Sequence, residues 1–403
     1  MPDLVVRIYN VRFGDAVLVS IPEDDGGQTV TRHLLIDVGN VNAADAGGAD
    51  AVFEQTVADI VAVTGGEVDL YVMTHEHLDH CQGLFWAKAK KAIDLRAKFA
   101  WLTRSADPDY YDHFEDARKE LTLATERYHH ARAWFSLEEP SDWVAAMLEN
   151  NNRFLPAAGD PSPTRTADCV NHLRTIAPRA KTYYVSRLST VASKHPFTEA
   201  RLRILAPEAD ASIYYARRPA ARLTTAEVDD TAGPTTSPGP APNPQPPAGV
   251  DAGAFFDLVA SREQGITDDL LAIDKAANDT SIVLELEWRG WRLLFPGDAE
   301  EKSWDRMAGR DGLLRPVHFV KIGHHGSHNG TPDDPLLNLV LPETPPDPRT
   351  RVAALSTFDD TYNKVPDEIG DHNTLAAYRS RCDELVDTRT LADGDCFELR
   401  FPG

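Results

Sequence analysis

The segment Val68-Asp69-Leu70-Tyr71-Val72-Met73-Thr74-His75-Glu76-His77-Leu78-Asp79-His80 joins a short apolar strand directly to a cluster of metal-competent side chains. On extended backbone, residues i and i+2 project to the same side, so the imidazoles of His75 and His77 can share one ion. Asp79 and His80 fall where the chain must turn, and there they can reach a second ion beside the first. Two ions roughly 3.5–4 Å apart lower the pKa of a bridging water and clamp the attacking and leaving oxygens of a hydrolysis. The helical zinc pattern His-Glu-x-x-His does not apply, because position 79 is Asp. Any fold that uses this segment must present a strand end, a sharp turn and the helix-like stretch Cys81–Lys91 around a pair of cations.

Further segments place the cluster in a recognisable order. Val11-Arg12-Phe13-Gly14-Asp15-Ala16-Val17-Leu18-Val19, Leu34-Leu35-Ile36-Asp37-Val38-Gly39, Leu294-Phe295-Pro296-Gly297-Asp298-Ala299-Glu300 and Ile322-Gly323-His324-His325-Gly326-Ser327 follow one another as they do in the metallo-β-lactamase fold. The early Gly-Asp-Ala and the late His-His-Gly-Ser resemble one branch of it, the soluble hydrolase domain attached to the DNA-uptake channel of competent bacteria and its free-standing relatives. The resemblance covers roughly residues 1–103 and 201–403. It implies an α/β fold, a four-layer αββα sandwich with a dinuclear site at one edge of the paired sheets, and hydrolysis by a metal-bridging hydroxide.

The resemblance also implies roles. His75 and His77 would hold the first metal, Asp79 and His80 the second, and Asp298 would bridge both. Asp298 follows the apolar strand Trp291–Phe295; a Gly-Asp pair there also suits a turn or the N-cap of a helix at Ala299–Met307. His325 would be the late second-metal ligand, with His324 or His328 as a proton-donating group; adjacent histidines usually point apart, and which of His324 and His325 is the ligand stays open. Asp79 would orient the nucleophile. Asp37 resembles a buried acid that supports the metal loop without binding metal. The cofactors expected are two divalent ions, Zn2+ or Mn2+. One departure stands out: where many members of the fold supply a third first-metal histidine, before Ser281–Leu286, this chain has Ala277-Asn278-Asp279-Thr280. An oxygen from Asn278 or Asp279 would make the site harder and shift preference from zinc toward manganese; a plain loop cap is the other reading of both residues.

Length and composition fit an elaborated hydrolase. The motifs run from residue 11 past residue 326 of 403, so we expect one metallo-β-lactamase-fold domain over 1–403, carrying a helical insertion at 104–200 and a flexible Pro/Gly/Thr-rich loop at 224–252. Within that loop, Thr231–Val250 holds seven prolines in twenty residues. Strands are expected at Leu4–Tyr9, Ala16–Ile21, His33–Asp37, Val68–Thr74, Ala97–Leu102, Leu202–Leu205, Ser281–Trp288, Trp291–Phe295, His318–Ile322, Val352–Ser356 and Phe397–Phe401, and a helix at Ala51–Val63. His129 and His130 read as helix-surface residues. No apolar run reaches membrane-spanning length and no basic segment precedes one near Met1, which points to a cytoplasmic protein. Cys81, Cys169, Cys382 and Cys396 are few and scattered, as reduced thiols are; Cys81 packs on the helix or, less simply, offers a soft ligand.

The net charge of −22 repels nucleic acid and anionic membrane at long range, so a polyanionic substrate needs a local positive patch. Lys88, Lys90, Lys91, Arg96, Lys98 and Arg104 offer one, unless they form an ordinary solvated face. The leading function is phosphodiester hydrolysis, of a nucleic acid or a nucleotide-derived small molecule, and it rests on the subfamily resemblance. The alternatives are hydrolysis of a carboxylic ester, thioester, lactone or lactam on the same fold, and a non-catalytic metal-binding regulatory module. No membrane partner is expected; a homo-oligomer is compatible with the sequence.

Overall fold

The computed structural model describes residues 2–41, 51–136, 142–155, 159–215, 252–358 and 372–403. Seven strands form one mixed sheet: β1 (Leu4–Tyr9), β2 (Ala16–Asp25), β3 (Gln28–Val38), β4 (Glu67–Met73), β5 (Arg96–Thr103), β6 (Thr182–Val185) and β13 (Cys396–Phe401), in the order β13-β1-β2-β3-β4-β5-β6. A second mixed sheet holds β7 (Arg201–Ala206), β8 (Val283–Trp288), β9 (Trp291–Phe295), β10 (Phe319–Lys321), β11 (Val352–Leu355) and β12 (Glu384–Asp387), in the order β12-β11-β10-β9-β8-β7. Antiparallel pairs lead into parallel ones in both: β3, β4, β5 and β6 run parallel, as do β9, β10, β11 and β12. The helices are α1 (Val52–Thr64), α2 (Leu78–Lys91), α3 (Tyr110–His113), α4 (Glu115–Phe135), α5 (Asp142–Asn150), α6 (Thr166–Leu173), α7 (Ala252–Asn278), α8 (Glu301–Ala308), α9 (Leu337–Val340) and α10 (His372–Arg381).

Period-two alternation sends one set of side chains to each face of a strand, and here both faces are covered. Val6, Leu34, Val72 and Trp101 of the first sheet meet Leu284, Leu293, Phe319 and Val352 of the second in a core between the sheets. The opposite face of the first sheet, with Leu35, Tyr71 and Met73, packs on Phe53, Ile60, Leu84 and Val170 of α1, α2 and α6. Leu294, Val320 and Ala353 on the outside of the second sheet pack on Trp304, Met307, Leu337 and Tyr378 from α8, α9 and α10. The layers are therefore α, β, β, α, the sandwich expected from the sequence. Its second sheet begins with a tight hairpin: Arg289 and Gly290 take φ of 46° and 86° between β8 and β9, the paired positive φ of a two-residue turn whose twist matches the strands.

Among the elements not anticipated, three bear on the frame of the site. β6 lies inside the segment read as a helical insertion and extends the first sheet, and β12 extends the second; both have only four residues, too few for alternation to register. The third is α7, which leads into the Asn-rich stretch. Its buried Ile266, Leu270 and Ile273 fall at helical spacing and pack with Tyr128, Met147 and Phe154 of the segment between β5 and β6. Each such side chain contributes about 1.5–3 kcal/mol on full burial, enough together to hold α7 against α4 and α5. Of the proline-rich loop, residues 224–251 lie outside the described residues. His129 and His130 are exposed on α4, and Cys81 is buried in the helix–sheet core with the other thiols free. Among the described residues, no helix is long and apolar enough to cross a membrane.

Candidate metal centre

The parallel strands of both sheets end at one rim, and His75, His77, Asp79, His80, Asp298 and His325 stand on the loops and first helical turns that leave it. Thr74, directly after β4, takes its neighbours from both sheets: its amide and hydroxyl donate to Asp37 at 2.8 and 2.6 Å, and its carbonyl accepts from Ile282 ahead of β8. The glycines of the early motifs let backbones meet here. A Cβ on Gly39 would stand 2.2 Å from Asp79 carbonyl carbon and His80 nitrogen, so only glycine lets β3 approach the metal loop. Asp15 links the same parts, its amide donating to Asp79 O and its carbonyl accepting from Gly39, both at 3.0 Å.

His75, His77, Asp79, His80, Asp298 and His325 are all at most 2% exposed. Their potential ligand atoms fall into two groups, His75–His77–Asp79 and Asp79–His80–Asp298–His325. His75 Nε2 lies 3.1 Å from His77 Nδ1; two nitrogens bound tetrahedrally at about 2.0–2.1 Å from one ion stand roughly 3.3 Å apart. In the second group, His80 Nε2 is 3.1 Å from Asp298 Oδ2, and His325 Nε2 is 3.4 Å from both Asp79 Oδ2 and Asp298 Oδ2. Asp79 belongs to both groups, whereas Asp298 joins only the second. His325, not His324, faces this group.

The far sides of the rings show which nitrogens are free. His80 Nδ1 donates to Asp37 at 2.9 Å, and His325 Nδ1 lies 3.1 Å from the Ser356 carbonyl, which only accepts. Thr74 Oγ1 spends its proton on Asp37 and so accepts from His75 Nδ1 at 3.1 Å. In the neutral rings these contacts leave Nε2 of all three as lone-pair donors. His77 Nε2 meets Asn151 Oδ1 at 2.9 Å. Asp79 Oδ1, His80 Nε2, Asp298 Oδ1 and His325 Nε2 are buried with no hydrogen-bond partner. Four converging polar atoms without partners are costly in a protein interior, and a cation satisfies them together; nitrogen and carboxylate donors suit Zn2+ or Mn2+.

The electrostatics agree. Burial alone would depress His80, but Asp298 and Asp79 outweigh it and hold its pKa well above the usual value. Burial likewise lowers His325, while Asp298 and Asp79 lift it to about 9. Burial pushes Asp298 up, yet His80 and His325 hold it well below the usual carboxylate range. Protons on two imidazoles thus balance the carboxylates, in the place that cations would take.

The late and Asn-rich segments form a separate group. His324, with its side chain 16% exposed, stands with Asp274 and Glu300, its Nδ1 3.5 Å from Glu300 Oε1. Asn278 Nδ2 reaches Glu300, Asp274 and His324 Nε2 at 2.9, 3.2 and 3.3 Å. Asp279 is a helix cap: its Oδ1 accepts from Glu300 and Ser303 amides at 3.2 and 3.0 Å where α8 begins. Burial raises Glu300 to about 8, with Asp274 and Asp279 adding to the effect. His328 is exposed. His324 and His325 both take left-handed backbone, with φ of 46° and 53°, which turns the adjacent rings into different groups.

Several neighbours of the site were not singled out from the sequence. Asn150 Oδ1 accepts from Leu78 and Asp79 amides at 2.9 and 3.3 Å, Asn151 meets His77, and the buried Lys321 lies 2.6 Å from Asp15 Oδ2 behind His325. A run of three asparagines at a helix end is a usable signal, because such side chains compete with helical hydrogen bonds and favour caps. Part of the basic segment stands apart from the site, and most of it is ion-paired. Lys88 and Lys91 lie in the last turn of α2, whose first turn carries Asp79, and they pair with Asp94 and Glu54 at 2.9 and 2.5 Å. Lys98 pairs with Asp69 and Arg104 with Asp107, at 2.9 and 3.2 Å.

No family model matches the sequence, and no curated protein matches it. Among solved structures, a variant of CmlA beta-hydroxylase is similar at a TM-score of 0.39 and 12% identity, over 100% of this chain and 54% of that one. This chain thus spans about half the length of that neighbour. The fold assignment rests on the layers and strand order described above.

Proposed function

We propose that the chain is a dinuclear metal-dependent hydrolase, most simply a phosphodiesterase. The observation that carries the hydrolase reading is the buried, two-part ligand set His75, His77, Asp79, His80, Asp298 and His325 with its unsatisfied atoms. Two cations bound there would polarise a scissile ester and make water acidic enough to supply a nucleophile near neutral pH. Asp79, common to both groups, orients that nucleophile. His324, whose buried Nδ1 has no hydrogen-bond partner, exchanges the proton needed by the leaving oxygen, with the exposed His328 as the alternative. We read residues 1–403 as one domain, because β1 and β13 pair as neighbours.

The phosphodiester class is supported by the resemblance of the Gly14-Asp15-Ala16 and His324-His325-Gly326-Ser327 motifs. A second reading, hydrolysis of a neutral carboxylic ester, thioester or lactone, is favoured by one observation: five of the six basic residues counted toward a phosphate patch already have acidic partners. The test is a screen of bis(p-nitrophenyl) phosphate, a thioester and a lactone with protein reconstituted in Zn2+ or Mn2+. Turnover of the phosphodiester that disappears in Asp79→Ala supports the proposal; turnover of the lactone or thioester alone establishes the second reading. Stoichiometric metal without turnover of any would leave the regulatory module.

A further inference from the structure

We infer that Asn151, in the helical segment between β5 and β6, fixes the tautomer of His77 and so presents its Nδ1 to a cation. The inference rests on His77 being a metal ligand, as proposed above. Asn151 is 1% exposed, and every polar atom of its amide has a partner. Its Nδ2 donates to the Met147 carbonyl at 3.1 Å and to Asp274 Oδ1 at 2.6 Å. Both partners are acceptors, so the amide cannot be turned over without setting oxygen against oxygen twice. Asn151 Oδ1 is thereby held 2.9 Å from His77 Nε2. An amide oxygen only accepts, so Nε2 carries the hydrogen. The lone pair of the neutral ring then lies on Nδ1, the atom 3.1 Å from His75 Nε2.

The other rings of the site take their orientation from the sandwich itself, through Asp37, Thr74 and the Ser356 carbonyl. His77 alone of the four ligand histidines takes it from a side chain outside the two sheets, and that side chain is in turn aimed by Asp274 of α7. The neighbouring Asn150 holds the first amides of α2, so consecutive asparagines grip the metal loop at its second and third ligand-bearing positions, His77 and Asp79. Burial of Tyr128, Met147, Phe154, Ile266, Leu270 and Ile273 in one cluster keeps α4, α5 and α7 in register for this grip. The helical segment is thus part of the ligand machinery, and Asn151 and Asp274 are positioning residues for the first cation.

The prediction is read in the full chain, first metal-free and then titrated with Co2+. Histidine nitrogen–proton NMR correlations, assigned with His77→Gln, report which ring nitrogen of His77 carries hydrogen. The native chain should show Nε2–H, and Asn151→Leu a mixture of tautomers. Cobalt affinity at the first site should fall about 10–100-fold in Asn151→Leu, the usual consequence of removing a ligand's hydrogen-bond partner. The double variant Asn151→Asp, Asp274→Asn keeps an acceptor at 151 and a donor–acceptor contact to 274, and should restore both the tautomer and most of the affinity. Asp274→Leu, at a position 17% exposed, frees the amide to turn and gives an intermediate loss even if Asn151→Leu does not fold. A native tautomer and native affinity in Asn151→Leu, or a double variant as impaired as the leucine variant, overturns the inference. If the native chain takes up no cobalt, the proposed function fails, and the metal-free tautomer still decides the role of Asn151.

Discussion

Asp37 and His80 are joined by a 2.9 Å hydrogen bond from Nδ1 to Oδ2, buried beneath the metal loop, and the same carboxylate receives the amide and hydroxyl of Thr74. One side chain therefore orients His80 directly and His75 through Thr74. Replacing it in Asp37→Asn exchanges an acceptor for a donor facing an imidazole proton. We expect metal affinity to fall about 10–100-fold, with both sites affected. Chelator-competition titration checks this, and an unchanged second-site affinity would count against the arrangement.

Metal uptake should release protons. His80 and His325 have raised pKa values without a cation, with His325 at about 9, so both are protonated at neutral pH and must become neutral to bind. Affinity should rise with pH through about 9, where His325 loses its proton. Titration in buffers of different ionisation enthalpy counts the protons. About two per second-site ion are expected at pH 7; none would mean that the imidazoles are already neutral.

The basic segment should be dispensable for catalysis. Lys88, Lys91 and Lys98 are ion-paired, and Lys88 and Lys91 lie at the far end of α2 from Asp79. Neutralising all three to Gln should leave KM for a phosphodiester and its salt dependence within about twofold, since few counterions would be released at these positions on binding. A several-fold rise in KM would return these residues to the substrate path.

His172 should make stability fall in mild acid. It stacks on Phe85, with ring centroids 5.3 Å apart, and burial followed by the charge of Lys88 lowers its pKa from 6.5 to about 4. Between those values the unfolded chain takes up a proton that the folded chain refuses. Stability present above 6.5 is therefore lost as pH falls toward 4. After allowance for partial exposure, the loss is about 2 kcal/mol. Urea midpoints at pH 7 and 5 should diverge less in His172→Gln than in the native chain; equal divergence would assign the acid sensitivity elsewhere.

Much of the frame could be read before the structure, because strands that carry ligands announce themselves twice, by alternation and by the residues that follow. The pattern at Val68–His80 located β4, the turn and α2, and the Gly-Asp and His-His motifs marked the loops after β9 and β10. What sequence could not give was the division of labour at the rim. The resemblance gave the bridging role to Asp298, and only three-dimensional placement puts Asp79 in both groups. Asn278 looked like a replacement ligand because of its position in the chain; its Nδ2 reaches Asp274, Glu300 and His324, while its Oδ1 is buried with no hydrogen-bond partner. Asn151 and Asp274 lie far from His77 in sequence, and no local period connects them. The basic segment looked like a phosphate patch only because its acidic partners Glu54, Asp69 and Asp107 lie mostly outside the window that contains it.

Leu4 pairs with Phe401 and Tyr9 with Cys396 across β1 and β13. That ladder spans nearly the whole sequence, and loops of such length close slowly because chain entropy is spent before the contacts that repay it are made. As the chain emerges during synthesis, β1 must wait beside β2 with one edge open until the last strand arrives. Exposed strand edges of that kind invite pairing with other chains. The rim is assembled over the same interval, since His75 is made hundreds of residues before Ser356, so the full set of side chains there comes together at the end of folding and not at its beginning.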